Sequence, residues 1–232
     1  MADYKAARAK TDVNEGGCSF NPHDKGNMVV KGVVTVPTYK GIAPVFWSNW
    51  RGFTLISAEI GKMVKMPAYG TPEHRTWCSY LDKQLAANAT LQTYVDDFYE
   101  VNFWHANRLG EIMSQDVAEW IYDHAVNGGA RGIMWAQLAA RVKPDGGMGP
   151  ISIKAINAMP PTAFLSRVED IAGTYRLDKA HDAPSQIQFL GSWLERDGQP
   201  KEIIAMVKAA AKDGKLDDVE VASLKEAMEA TA

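Results

Sequence analysis

The sequence predicts a mainly α-helical protein with a small β-hairpin near its amino terminus. Three observations predict this. Apolar residues recur at helical spacing from about Trp50 onward, a β-branched run over residues 28–36 is broken at Lys31-Gly32, and glycines and prolines gather between residues 15 and 48. At 232 residues, 46% hydrophobic and 23% charged, the chain can bury one good core or two small ones sharing an interface.

Residues 3–13 place Tyr4, Ala7 and Val13 in a polar repeat with Lys5, Arg8 and Lys10, the pattern of a short amphipathic helix. The hairpin over 28–36 comes next. Leu55, Ile56, Ile60 and Val64 form the stripe of the next helix, which Pro67 and Gly70-Thr71-Pro72 end. Further helical patterns run over about 74–86, 90–107, 115–127, 130–142, 150–158, 161–179 and 184–196. The tail differs in being rich in alanine and charge, and its patterns over 201–212 and 216–228, joined at Asp213-Gly214-Lys215, read as a helical hairpin. Three regions are expected: 1–108, 109–196 and 197–232.

Composition excludes several classes. A net charge of −3 with no run of Lys or Arg argues against a nucleic-acid surface. Two cysteines, Cys18 and Cys78, make no disulfide framework, and no Cys/His spacing calls for zinc. Asp213, Asp217 and Asp218 around Gly214 lack the alternating ligands of a calcium loop, so neither metal nor cofactor is expected. The opening Met1-Ala2-Asp3-Tyr4-Lys5 has no apolar signal core, and no apolar run approaches the ~18 residues of a membrane span. The expectation is a monomer made in the cytoplasm, without stable membrane association.

The most informative stretch is Glu15-Gly16-Gly17 with Asn21-Pro22-His23-Asp24-Lys25-Gly26. Glu15 falls at the carboxy end of the first helical pattern. There the helix dipole disfavours ionisation and partial burial adds to the effect, so the carboxyl is suited to donating a proton. The plainer reading is a solvated helix end with Gly16-Gly17 as its stop. Asp24 has its own plain reading, an Asx-turn residue bonding its loop.

These segments are succeeded by Thr38-Tyr39-Lys40-Gly41-Ile42 and Trp47-Ser48-Asn49-Trp50-Arg51-Gly52, then by Phe98-Tyr99-Glu100-Val101-Asn102-Phe103-Trp104 and Tyr122-Asp123-His124-Ala125-Val126-Asn127. In this order they resemble glycoside hydrolase family 108, the phage endolysin and N-acetylmuramidase group. Gln137-Leu138, Asp145-Gly146-Gly147-Met148-Gly149-Pro150 and the segment from Phe189 to Arg196 resemble the peptidoglycan-binding-like region that comes after it in that family. The chain departs from the family pattern at Cys18, where an aromatic is expected, at Asn27 in place of a second loop glycine, and in an insertion over 28–36. A register through Gly32-Val33-Val34 would leave no threonine; Thr38 is preferred because Tyr39-Lys40-Gly41-Ile42 continues the match.

The resemblance implies a lysozyme-like helical fold with the hairpin near the active-site loop, and hydrolysis of the β-1,4 bond between N-acetylmuramic acid and N-acetylglucosamine. Glu15 would be the acid, and Asp24 with Thr38 would hold the attacking water, an arrangement that points to inversion. Seven tryptophans exceed what the core requires. Trp47, Trp50, Trp104 and Tyr39 are candidate sugar platforms, although core packing is the commoner fate of any one such ring, and Glu100 is a spare carboxylate that either lines the cleft or sits on a solvated helix face. Asp123 and Asn127, at i and i+4, are read as structural, and His105 and His124 as surface or satisfied core residues. The expected partners are peptidoglycan glycan strands and, through the resemblance, a holin that releases the enzyme from the host cytoplasm to the periplasm. Two rivals are a lytic transglycosylase on the same bond and a non-catalytic wall-binding protein.

Overall fold

The structure, a computed structural model, describes residues 1–12 and 16–231. Among these it is mainly helical, of the lysozyme-like class expected, with eleven α-helices and two short antiparallel sheets. The chain divides into two compact units, Ala9–Asn102, and Met1–Arg8 joined with Phe103–Ala232. The opening helix α1 (Tyr4–Asp12) begins where the Asp3 carboxylate accepts the Ala6 N–H at 2.9 Å.

In the 9–102 unit, four short strands make two pairs: β1 (Cys18–Ser19), β2 (Met28–Val30), β3 (Val33–Val36) and β4 (Thr38–Tyr39). β2 and β3 form the predicted hairpin. Lys31 (φ 49°) and Gly32 (φ 76°) both take left-handed backbone at its tip, as a two-residue connection matched to strand twist requires. β1 pairs with β4, setting Cys18 opposite Tyr39 and Ser19 opposite Thr38.

Three helices complete this unit. α2 (Gly52–Ile60) stops at Gly61, earlier than the apolar stripe implies, and Val64 lies beyond it, exposed. α3 (Pro72–Ala87) starts with the Thr71 hydroxyl accepting the His74 N–H and Pro72 in its first turn. α4 (Ala89–Tyr99) is capped by the Asn88 side chain accepting the Leu91 N–H at 3.0 Å. The periodicity over 90–107 predicts one continuous helix, but α4 passes at Glu100 into a π-helical turn through His105. Here Asn102 donates its amide to the Phe98 carbonyl at 2.7 Å, a local competition with the helical ladder that apolar spacing does not register. Ile42, Ile56, Leu81, Leu85 and Leu91 are fully buried at the centre of the unit.

The other unit is all helical: α5 (Gln115–Gly128), α6 (Ala130–Ala139), α7 (Pro150–Asn157), α8 (Pro161–Asp182), α9 (Ile187–Asp197), α10 (Lys201–Ala210) and α11 (Asp218–Thr231). One core gathers Ile121, Tyr122, Ala136, Phe164 and Val168. Tyr4 packs on the rings of Trp104 and Tyr122, which draws the first residues of the chain into this unit. A second core joins Leu177, Leu190 and Leu194 to Val207, Leu224 and Met228, so the tail hairpin seals the apolar side of α8 and α9. His124 is a satisfied core histidine: its ring faces the Trp120 carbonyl at 2.7 Å and the Asp197 carboxylate at 3.0 Å. Asn127 donates to the Asp123 carbonyl, and both residues grip Arg196, the structural role expected of the pair.

Burial, with the charges of Asp170 and Asp197 nearby, raises the half-buried Glu169 carboxyl from 4.5 to about 7. The folded chain therefore holds this proton more tightly than the unfolded chain. The associated stability is fully present below pH ~4.5 and is lost as pH rises through 7. Glu169→Gln is expected to leave the melting temperature unchanged at pH 4 and to raise it at pH 8 by about 2–4 °C, for ~1 kcal/mol after solvent screening is discounted. Thermal melts at the two pH values check this, and an equal shift at both would contradict it.

Candidate active site

The site is assembled by backbone pairing between the loop after Gly17 and the strand that carries Thr38. Asp24 is half-buried. Its Oδ1 accepts the Gly26 N–H at 2.9 Å, closing an Asx turn, and its Oδ2 accepts the Ser19 hydroxyl at 3.0 Å. Ser19 lies opposite Thr38 across β1–β4, so one pair of strands brings Asp24 and Thr38 into the same neighbourhood.

Gly26 measures how close they come. A Cβ there would lie 3.0 Å from Thr38 Oγ1, 3.2 Å from Asp24 Oδ1 and 2.9 Å from the Ala43 methyl, so only glycine lets the carboxylate and the hydroxyl flank the same backbone. The Thr38 hydroxyl is buried without a hydrogen-bond partner among the described residues, which leaves its donor and acceptor capacity available to a small polar group. Asn27, the departure from the loop glycine, is a clamp: it accepts the Thr38 N–H at 2.6 Å and donates to the Asn21 carbonyl at 2.9 Å. Its side chain ties the loop to β4 in a way that glycine cannot.

Glu15, the predicted acid, lies outside the described residues. The backbone from Gly17 to Cys18 is held from α3. Cys18 N–H donates to Asp82 Oδ1 at 2.8 Å, and a Cβ on Gly17 would fall 2.3 Å from the same carboxylate. Burial raises the Asp82 carboxyl, opposed by the hydrogen bonds from Cys18. Burial also pushes the Cys18 thiol far above its ordinary value, helped by the Asp82 charge, and raises Cys78 in the same way. Both cysteines are free, and as thiols they are poor nucleophiles. A cleft of about 790 Å³ opens here, lined by Ser19 and Asn21 from the loop and by Tyr69, Arg75, Asp82 and Lys83.

The aromatic candidates divide. Trp47 is 40% exposed and meets Phe98 edge to face, so its ring is open to a ligand. Trp50 is half-buried, donating its indole N–H to the Tyr94 carbonyl and packing on Phe53. Tyr39 and Trp104 are corrected: at 1% and 3% exposure they are core residues. Tyr39 spends its hydroxyl on Gln92 and Trp104 packs on Tyr4 and Tyr122, so neither offers a face to a sugar. Glu100 is half-buried at the start of the π-helical turn, apart from the Asp24 loop in sequence and element.

Sequence reasoning missed Ser19, Asn27 and Asp82. Ser19 had a signal, a hydroxyl two residues after Gly17 in the same loop. Asp82 had none, since it stands 64 residues from Cys18 on a separate helix.

The family model described as Glycosyl hydrolase 108 matches residues 9–129, just over half the chain. Among solved structures, the chain is similar to SagA of Brucella abortus, with 20% sequence identity, a TM-score of 0.52, and coverage of 93% of this chain and 97% of that one. At that identity the likeness is one of fold. No curated protein sequence matches the chain.

Proposed function

The chain belongs to the glycosyl hydrolase 108 family, and from that premise we propose that it is a peptidoglycan hydrolase cleaving the β-1,4 bond from N-acetylmuramic acid to N-acetylglucosamine. The observation that carries this reading is the convergence of Asp24, Ser19 and the unsatisfied Thr38 hydroxyl around Gly26. Glu15 gives its proton to the glycosidic oxygen as the bond from the anomeric carbon breaks. A water held by Thr38 and Asp24 attacks that carbon and passes its proton to Asp24. Attack opposite the leaving group inverts the anomeric centre, a geometry that calls for roughly 6.5–9.5 Å between the two carboxyl groups. Trp47 supplies an open ring face for a sugar. In the cell a holin-type partner would bring the enzyme from the cytoplasm to the wall.

A second reading, a lytic transglycosylase, is favoured by one observation: both Asp24 oxygens already accept hydrogen bonds within the loop, as a purely structural Asp would. Such an enzyme needs only the acid, because the sugar's own 6-hydroxyl closes a 1,6-anhydro ring. Digestion of purified Gram-negative peptidoglycan, with fragment masses read before and after borohydride reduction, separates the readings. Reducible muramic acid ends are expected. Anhydro ends would replace the proposal with the transglycosylase, and binding without fragments would leave a wall-binding protein.

A further inference from the structure

We infer that Asp82 is a positioning residue for this glycosidase, holding the Gly16-Gly17-Cys18 turn next to the proposed acid. The inference rests on the functional reading above for its kinetic consequence and on geometry for the contact itself.

Two independent features place Asp82 against the turn. The first is a hydrogen bond: Oδ1 accepts the Cys18 N–H at 2.8 Å across 64 residues of sequence. The second is a steric fit. The carboxylate carbon and both its oxygens lie 2.3–2.4 Å from where a Cβ of residue 17 would sit, so the side chain occupies the space that Gly17 leaves open. An acceptor seated in a glycine notch fixes the backbone in both distance and direction. The side chain projects from α3, a sixteen-residue helix anchored in the core by Leu81 and Leu85, so the turn is referenced to a rigid element rather than to its own loop. Cys18 and Ser19 then enter β1, where Ser19 reaches both Asp24 and the strand of Thr38. One carboxylate thereby ties the residues just after Glu15 to the same pair of strands that carries Asp24. A half-buried acceptor used this way preorganises a site at little entropic cost, and a misplacement of about 1 Å can cost on the order of a hundredfold in rate.

Because the contact works through a carbonyl-type acceptor, Asn replaces it and Ala does not. With soluble peptidoglycan strands as substrate, Asp82→Ala is expected to lower kcat roughly tenfold or more with KM within about twofold, and Asp82→Asn to restore kcat to within about threefold of wild type. Gly17→Ala fills the notch, so it is also expected to lower kcat, and the Gly17→Ala/Asp82→Ala double variant to be no worse than the poorer single one. Amide hydrogen exchange at Cys18 reads the contact without reference to activity: protection is expected in wild type and Asp82→Asn and loss of protection in Asp82→Ala. An unchanged Cys18 exchange rate in Asp82→Ala, an Asp82→Asn enzyme as impaired as Asp82→Ala, or multiplicative losses in the double variant would each overturn the inference. If Asp82→Ala does not fold, Asp82→Asn and Gly17→Ala carry the same comparison. A wild-type protein that releases no fragments, yet shows the exchange pattern above, would instead overturn the hydrolase reading and confine Asp82 to holding the turn.

Discussion

Glu15→Gln and Asp24→Asn are expected to lower turnover on peptidoglycan by about 10²–10⁴-fold each, the range in which positioned acids and bases contribute to proton transfer. The two substitutions test different things. Glu15→Gln removes the proton donor without changing side-chain size. Asp24→Asn keeps the oxygen that accepts the Gly26 N–H and sets an amide NH2 against Ser19, whose hydroxyl can turn from donor to acceptor, so the loop stays bonded while the negative charge that would take a proton from water is lost. A merely structural Asp24 would therefore tolerate Asn. Initial rates of fragment release by the three proteins, normalised to folded protein by near-ultraviolet circular dichroism, check this. If Asp24→Asn works within about threefold of wild type while Glu15→Gln is inert, the water-activating role fails and the single-acid chemistry of a transglycosylase stands.

The largest expected effect on stability is at Asp197. This carboxylate is fully buried between His124 at 3.0 Å and Arg176 at 3.2 Å, and the residue's backbone carbonyl accepts the Trp120 indole N–H at 3.1 Å. His124 stacks on Trp120 with ring centroids 3.6 Å apart, while its ring nitrogens face two acceptors, the Trp120 carbonyl and the Asp197 carboxylate. Asp197→Ala takes away the anion and leaves a buried imidazole and a guanidinium without it. Breaking such an arrangement from one side costs about 3–5 kcal/mol, or roughly 6–20 °C in melting temperature for a chain of this size. Thermal and urea unfolding check it, and a loss below about 1 kcal/mol would show that water or a neighbouring group compensates.

Much of this molecule was legible in its sequence because the signals were local. The helical stripes, the Lys31-Gly32 hairpin and the helical tail arise from apolar spacing and turn chemistry, which act within a few residues. The order of glycine, Asp24 and Thr-Tyr segments likewise carried the family, since a loop that must pass close to its own carboxylate keeps Gly26 in a readable place. Tertiary structure decided the rest. Tyr39 and Trp104 look like any other aromatics in a motif, and only packing puts them in the core while Trp47 stays open. The helix expected over 90–107 gives way at Glu100 to a π-helical turn in which Asn102 bonds the Phe98 carbonyl, a change that apolar spacing does not encode. Asn27 reads as a lost glycine until its side chain is seen bridging Asn21 and Thr38. Asp82 is the extreme case: nothing near it in sequence marks it, because its meaning depends on a notch at the distant Gly17, and only the fold brings a carboxylate to fill it.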